Sequence, residues 1–170
     1  MQMYKIYTDG GFCNTQSKGV GSWAYILMKY DEKSKKYAEL AKDSGRVFDT
    51  TNNKMELEAV FQAIKALEKT DCNPKEDEVE IVSDSMYVVK GSTEWVDKWK
   101  EHEWKTLTGK DVKNQDLWMK ILKIKATYLK LKFNWVKGHD NDEKNIECDA
   151  MCQAKIREGV AEVQNNTLKE

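Results

Sequence analysis

The chain has 170 residues, of which 40% are hydrophobic and 34% charged, and its formal net charge at pH 7 is −1. This length and apolar content suit one folded domain, and a charge so near zero argues against a protein that binds polyanions over its whole surface. No apolar run approaches the ~18 to 20 residues that cross a bilayer, and residues 1–5 lack the segments of a secretory signal, so we expect a soluble, cytoplasmic protein that binds no membrane.

The first part of the chain predicts a β-sheet. Residues 3–8 and 22–28 are rich in aromatic and branched side chains, which is typical of strands. The glycines between them indicate a rather long connection; they are Gly10, Gly11, Gly19 and Gly21. A third strand is predicted within residues 36–48.

The period of the apolar residues changes after Asn53 from strand-like to helical, and this first helix is expected to end near Thr70. The later elements alternate: a strand at 79–83, helical or irregular segments through Trp104, a lysine-rich helix at about 114–128, a strand at 131–136 and a final helix from about 142–145. Because helices separate the later strands, we predict a mixed sheet flanked by helices, parallel where a helix intervenes.

The charge is unevenly distributed along the chain. Residues 98–137 contain eleven lysines and four acidic residues, a local charge of +7 that leaves −8 for the remainder. A basic arm beside a carboxylate-rich site gives this pattern, and so does a solvated lysine-rich helix.

The four cysteines form no C-x-x-C pair, which disfavours a zinc site. Cys148 and Cys152 lie four residues apart on a predicted helix, where packing is the commoner role in a reducing compartment. We expect structural roles for all four, which are Cys13, Cys72, Cys148 and Cys152.

Two aspartates follow predicted strands: Asp9 follows the first, and Asp84 follows residues 79–83. In neighbouring parallel strands both side chains would emerge at the carboxyl ends, where open α/β sheets bind their ligands. For each aspartate alone, ordinary turn chemistry is the alternative, since Asp9-Gly10 is a good turn signal.

Two further carboxylates lie on the apolar faces of predicted helices. Glu56 shares a face with residues 60, 63, 64 and 67; the alternative is a capping box, in which Glu56 reaches back to the backbone N–H of Asn53. Asp149 shares a face of the final helix with Ile146 and Ala150; the alternative is an acid near the helix start, which the helix dipole favours.

These four carboxylates can converge if the helices pack on the sheet. At ~6 Å and an effective dielectric constant of 20, each pair repels by roughly 3 kcal/mol, so the cluster could cost up to ~15 kcal/mol, as much as the ~5 to 15 kcal/mol of a domain's total stability. Such a cluster needs cations or bound protons, and oxygen ligands select Mg²⁺ or Mn²⁺. Two such ions would activate a water and stabilise the leaving oxygen of a phosphodiester.

These residues and their surroundings resemble the type 1 ribonuclease H family, from about residue 4 to about residue 154. The similarity is carried by four stretches in the family's order: Tyr7-Thr8-Asp9-Gly10, Thr51-Asn52-Asn53-Lys54-Met55-Glu56-Leu57, Ser83-Asp84-Ser85-Met86-Tyr87-Val88, and Trp135-Val136-Lys137-Gly138-His139 followed by Asn145 and Asp149.

The resemblance implies a ribonuclease H-like α/β fold, a five-stranded mixed sheet of three antiparallel strands and then parallel strands, flanked by helices. It implies endonucleolytic hydrolysis of the RNA strand of an RNA–DNA hybrid, leaving 5′-phosphate and 3′-hydroxyl ends. Two Mg²⁺ ions, or Mn²⁺ as a substitute, would be held by Asp9, Glu56, Asp84 and Asp149, and His139 would help proton transfer or product release.

The resemblance also assigns a basic protrusion, about residues 92–106, that grips the DNA strand. Its members here include Trp99, Lys100, Trp104 and Lys105, with core packing as the alternative for the two tryptophans. By the same analogy further residues bind the substrate: Thr51 and Asn114 a DNA phosphate, Asn52 and Asn53 the minor groove, and Tyr87 and Trp95 the DNA channel.

The family pattern also predicts the organisation of the chain. We expect a catalytic domain over residues 1–157, a polar C-terminal extension over 158–170, and a monomer that needs no protein partner. Two departures bear on substrate affinity: Lys100 is followed by Glu101, His102 and Glu103 instead of further basic residues, and the loop at residues 11–18 is atypical.

Three alternatives remain at this point. An integrase-type nuclease for another nucleic acid shares the sheet and carboxylates, although the protrusion and His139 argue against it. A non-catalytic hybrid-binding module would normally lack at least one carboxylate, and all four are present. A domain of a larger polymerase is the third, and we expect a free-standing enzyme instead.

Overall fold

The structure is a computed structural model that describes residues 1–138 and 141–169. Its strands are β1 (Met3–Asn14), β2 (Gly19–Asp31), β3 (Lys36–Phe48), β4 (Glu78–Ser83) and β5 (Lys130–Trp135). Its helices are α1 (Asn52–Glu68), α2 (Met86–Lys90), α3 (Val96–Glu101), α4 (Gln115–Thr127) and α5 (Glu143–Lys169), and a π-helical turn, Gly91–Trp95, joins α2 to α3.

The five strands form one sheet in the order β3-β2-β1-β4-β5. β1 pairs antiparallel with β2, and β2 pairs antiparallel with β3. β1 pairs parallel with β4, and β4 with β5. The predicted mixed sheet, with three antiparallel strands followed by parallel ones and flanked by helices, is therefore confirmed.

Each face of the sheet is covered by a different helix. On one face, Leu57 and Val60 of α1 pack with Tyr4 and Ile6 of β1 in the larger core. On the other face, α5 contributes Cys148 and Cys152 to a smaller core. Both thiols are fully buried, as packing predicted, and all four cysteines are free. The position of β1 between α1 and α5 places its polar residues between two helices.

The glycines near the first turn explain why β1 and β2 are longer than predicted. Instead of a long connection, only residues 15–18 separate the strands. A Cβ on Gly10 would lie 2.5 Å from the backbone nitrogen of Glu56, and one on Gly21 would lie 2.3 Å from a methyl group of Thr50. These glycines therefore allow β1 and β2 to approach the start of α1 closely, which is a packing role and not a turn role.

The C-terminal residues continue α5 without a break. Gly159 and Val163 are buried, and Arg46 of β3 forms ion pairs with Glu158, at 3.1 Å, and with Glu162. The residues predicted as a polar extension thus form helix up to Lys169. None of the helices in residues 1–138 and 141–169 is long and apolar enough to cross a membrane.

Candidate active site

Asp9 lies inside a strand but beyond the parallel part of the sheet. The parallel pairing of β1 with β4 ends at Tyr7↔Val82, whereas β1 continues beside β2, where Asp9 pairs with Ala24. The prediction that Asp9 follows the strand is therefore wrong, and so is the turn alternative. Because β4 ends at Ser83, the Asp9 side chain still emerges at the carboxyl end of the parallel pair, as expected.

Glu56 reaches from α1 across to β1. The helix is capped by Thr51, whose side-chain oxygen accepts the backbone N–H of Lys54 at 3.2 Å. Glu56 Oε2 instead accepts the backbone N–H of Gly10 at 3.1 Å, and the residue is only 6% exposed. The capping-box alternative with Asn53 is therefore wrong, because the carboxylate is directed at the strand.

Asp84 follows β4, and its backbone is held from β5. The indole N–H of Trp135 donates to the Asp84 carbonyl oxygen at 3.0 Å. Gly138 passes so close that a Cβ there would lie 2.9 Å from Asp84 Oδ2. Ser85 caps α2 by accepting the N–H of Val88 at 3.2 Å. The aspartate is thus enclosed between a strand end, a helix start and the segment after β5.

Asp149 approaches the cluster from the second turn of α5. The helix begins at Glu143, within the predicted range, so Asp149 lies near the helix start but beyond the first turn, where the helix dipole acts most strongly. Ile146 and Ala150, the apolar residues that share its face, are exposed, so the prediction of a buried apolar face there is wrong.

The Asp149 side chain is within hydrogen-bonding reach of Asp9. Burial is the main cause of the raised pKa values of Asp9 and Glu56, and the negative charge of Asp149 adds a smaller increase to both. The fourth carboxylate therefore joins the other three from the opposite face of the sheet to α1.

The structure brings the carboxylates together. One oxygen each of Asp9, Glu56 and Asp84 lie within 4.8 Å of one another, and Asp149 adjoins them at Asp9. We call these four residues the carboxylate cluster. Oxygen-only groups of this kind suit hard divalent cations.

The electrostatics of the carboxylate cluster are those of crowded negative charge. Burial, and then the charges of the other three carboxylates, raise the pKa of Asp9 far above the usual value. Burial, and then the charge of Asp84, raise the pKa of Glu56 to about 8, although the hydrogen bond from Gly10 lowers it. Within residues 1–138 and 141–169, the buried Asp9 Oδ2 has no hydrogen-bond partner. The cluster therefore has bonding capacity and charge that a cation could satisfy.

Aromatic side chains from the segment α2 to α4 contact one another in a continuous group. Tyr87, Trp95, Trp99 and Trp118 contact one another with ring centroids 5.1–6.5 Å apart. We call these four residues the aromatic cluster. Trp118 is fully buried, whereas the other three are half-buried and present part of their rings to solvent. For Trp99 and Trp104, the alternative to a role in gripping DNA was packing in the core. It is correct in part, because both side chains pack against the larger core.

The remaining predicted substrate residues lie at the surface. Thr51, Asn52 and Asn53 are exposed at the start of α1. Asn114 immediately precedes α4, and its amide is hydrogen-bonded to Tyr87 at 3.1 Å. Two lysines of the predicted protrusion are exposed, Lys100 without an ion pair in the described part of the chain and Lys105 paired with Asp111. His139 lies outside the described residues.

Comparison with known proteins identifies the family. A family model described as RNase H matches residues 1–157. The chain belongs to the ribonuclease H family. It is therefore a nuclease, an enzyme that hydrolyses phosphodiester bonds.

Relatives of this ribonuclease H-family chain match it over nearly their whole length. The ribonuclease H of Wolbachia sp. subsp. Drosophila simulans (strain wRi) is 40% identical over 151 residues, which cover 89% of this chain and 93% of the relative. The ribonuclease HI of Haemophilus ducreyi is 38% identical over 155 residues, covering 90% of each chain. The structure of LC11-RNase H1 in complex with RNA/DNA hybrid is similar in fold, with a TM-score of 0.61, 24% identity, and 92% of this chain and 99% of that one covered.

Sequence reasoning assigned no role to several residues that shape this ribonuclease H-family site. Gly10 donates its backbone N–H to Glu56, and Gly138 leaves room for Asp84. Trp118 supports the aromatic cluster from within the core. The glycines and Trp135 lay inside the motifs, but nothing in a linear motif shows which backbone groups meet across the sheet.

Proposed function

We propose that this enzyme hydrolyses the RNA strand of RNA–DNA hybrids endonucleolytically and leaves 5′-phosphate and 3′-hydroxyl ends. Membership of the ribonuclease H family supports the proposal, as does the relative solved in complex with an RNA/DNA hybrid. The observation that carries it is the carboxylate cluster, in which three acidic residues from β1, α1 and the end of β4 place oxygens within 4.8 Å.

We propose that the four carboxylates, Asp9, Glu56, Asp84 and Asp149, hold two Mg²⁺ ions in the substrate complex, with Mn²⁺ as a substitute. The fit rests on the buried Asp9 Oδ2, which has no hydrogen-bond partner among the residues that the structure describes, and on the raised pKa values of Asp9 and Glu56. When bound, the ions would activate a water and stabilise the leaving oxygen. The chain's own contribution is to hold the carboxylates in place, chiefly through the Gly10 N–H on Glu56 and the Trp135 indole on the Asp84 backbone.

The same proposal gives the surface residues their roles. Tyr87 and Trp95, two half-buried rings of the aromatic cluster, would line the DNA channel, and the lysines near them would contact the DNA strand, because rings pack against sugars and lysines meet phosphates. Thr51 and Asn114 would bind a DNA phosphate, and Asn52 and Asn53 would reach the minor groove. Trp99, Lys100, Trp104 and Lys105 would belong to the gripping protrusion, and His139 would assist proton transfer or product release.

We also propose the domain bounds, the oligomeric state and the cellular location of this chain. We propose a catalytic domain over residues 1–157 and an extension over 158–170. We further propose a monomeric enzyme that acts in the cytoplasm without an obligatory protein partner. Sedimentation at several protein concentrations tests the monomer directly.

A substrate panel tests the proposed function. Labelled RNA–DNA hybrid, double-stranded RNA, double-stranded DNA and both single strands are each incubated with Mg²⁺, Mn²⁺ or EDTA. We expect cleavage of the RNA strand of the hybrid alone, with either metal and not with EDTA, and products that a ligase requiring 5′-phosphate ends can join. Preferential cutting of double-stranded DNA would instead support the integrase-type alternative, and cleavage in EDTA would remove the metal from the mechanism.

A further inference from the structure

Asn114 precedes α4 in a conformation that its local sequence does not explain. Asparagine at a helix N-cap usually accepts an N–H from its own first turn. Here its backbone is left-handed, with φ 60° and ψ 33°, and its side chain makes no capping hydrogen bond. The left-handed region is unfavourable for residues other than glycine, although asparagine tolerates it better than most. The Asn114 side chain therefore accepts no hydrogen bond from the first turn of α4.

The Asn114 amide is instead held by Tyr87. Asn114 Nδ2 donates to the Tyr87 hydroxyl oxygen at 3.1 Å, and the indole N–H of Trp118 donates to the same oxygen at 3.0 Å. Trp118 is fully buried, and its ring fills the space beside Gly91, where a Cβ would lie 2.0 Å from it. A rigid, buried ring therefore fixes the tyrosine oxygen, and the tyrosine oxygen fixes the amide.

We propose that Tyr87 is a positioning residue whose hydroxyl orients the Asn114 amide toward a phosphate of the DNA strand. One amide N–H is occupied by Tyr87, which leaves the second N–H to donate to the substrate. The inference rests on the proposed function, because that function supplies the phosphate. It assigns to the Tyr87 hydroxyl a role separate from the ring, which contacts Trp95 and Trp118 at 6.5 and 5.1 Å between centroids.

Tyr87→Phe separates these two roles, since phenylalanine keeps the ring and removes only the oxygen. We expect KM for the hybrid to rise about five- to tenfold, the worth of one directed hydrogen bond, with kcat changed by less than about twofold. The matched control is Tyr128→Phe, which removes the hydroxyl of a buried tyrosine at the other end of α4. Its KM is expected to equal that of the wild type.

A double-mutant cycle with Asn114→Ala tests whether Tyr87 acts through the amide. If it does, Tyr87→Phe adds nothing once the amide is absent, so the double variant has the KM of Asn114→Ala alone. Multiplication of the two single effects would overturn the proposal, as would an unchanged KM in Tyr87→Phe. Kinetics are measured well below the melting temperature of each variant, which removes loss of stability as an explanation.

The side-chain amide of Asn114 gives a readout that needs no substrate. In NMR spectra of the ¹⁵N-labelled protein, the chemical shifts of its two N–H protons are expected to differ widely in the wild type and in Tyr128→Phe. In Tyr87→Phe the difference between the two shifts is expected to become smaller. Unmoved signals in Tyr87→Phe would overturn the proposed contact. If the wild type failed to cut a hybrid, the proposed function would fail, whereas this spectral result would still report on the Tyr87–Asn114 contact.

Discussion

The carboxylate cluster and the aromatic cluster differ in whether their buried polar groups have hydrogen-bond partners. In the first, oxygens face other oxygens, Asp9 Oδ2 has no partner in the described part of the chain, and burial with like charges raises the pKa values of Asp9 and Glu56. In the aromatic cluster, the buried indole N–H of Trp118 donates to the Tyr87 hydroxyl oxygen, which also accepts an amide N–H of the neighbouring Asn114.

This difference shows how stability and function are divided in the molecule. The carboxylate cluster is destabilising until cations or protons neutralise it, so its geometry must be enforced by the sheet and helices around it. In the aromatic cluster the buried indole N–H of Trp118 has a partner in the Tyr87 hydroxyl oxygen, and the ring contacts hold the half-buried rings in a preorganised arrangement. The following experiments test this contrast.

Asp9→Asn should have the largest effect. Removing the central carboxylate is expected to lower hydrolysis of the hybrid at least about a thousandfold, or about 4 kcal/mol in the barrier, because the metal loses a ligand. In EDTA the same variant is expected to melt at a higher temperature than the wild type, because asparagine is neutral in this buried site without the proton uptake that Asp9 needs there. Asp31→Asn, at the exposed end of β2, is the control. Full activity in Asp9→Asn would discard the mechanism.

Metal-free stability should depend on pH through Glu56. Its pKa in the folded protein is raised to about 8, above the ~4.3 of an unfolded chain, so the folded state binds the proton more tightly. The stabilisation is therefore complete below about pH 4.3 and is lost as pH rises through about 8, by on the order of 5 kcal/mol.

Thermal melts in EDTA between pH 4 and pH 9 provide the measurement. Glu56→Gln should flatten the dependence, whereas Glu32→Gln, at an exposed position, should leave it unchanged. Mg²⁺ should reduce it in the wild type. A melting temperature that rises across this range, equally in the wild type and in Glu56→Gln, would contradict the assigned electrostatics.

Trp95→Ala tests the aromatic cluster as a binding surface. The half-buried ring is expected to contribute roughly tenfold to KM, about 1.4 kcal/mol, with kcat changed by less than about twofold. Tyr37→Ala removes an exposed ring from the edge strand β3 and serves as the control. An unchanged KM in Trp95→Ala would count against its place in the DNA channel.

The smallest effect is expected from the acidic residues of the protrusion. Glu101 and Glu103 are exposed next to Lys100 and Lys105, so replacing both by glutamine should tighten hybrid binding by about two- to threefold at low salt, through reduced repulsion of phosphates. Binding titrations at several salt concentrations measure this gain, which should vanish at high salt. Equal tightening by Glu76→Gln would show that only the net charge matters.

Local pattern was sufficient to predict most of the architecture. The strand and helix order followed from periodicity, and the four carboxylates were recognised because each lay in a motif. The extent of β1 could not be read from Gly10 and Gly11, because a glycine that ends a strand and a glycine that admits a helix look identical in sequence. The partner of Glu56 was equally hidden, since the capping motif at Asn53 was locally plausible.

By itself, the amino-acid sequence determined which chemical groups are available and in which elements they lie, because propensity and apolar spacing act over a few residues. Only the tertiary structure decided that the Gly10 backbone N–H donates to Glu56 and that the Asn114 amide donates to Tyr87 instead of capping its own helix. The same holds for the Trp118 indole N–H, which donates to the Tyr87 hydroxyl oxygen. These contacts join residues far apart in the chain, and their geometry depends on how two layers of helices pack on a twisted sheet. A linear pattern carries no record of those distances.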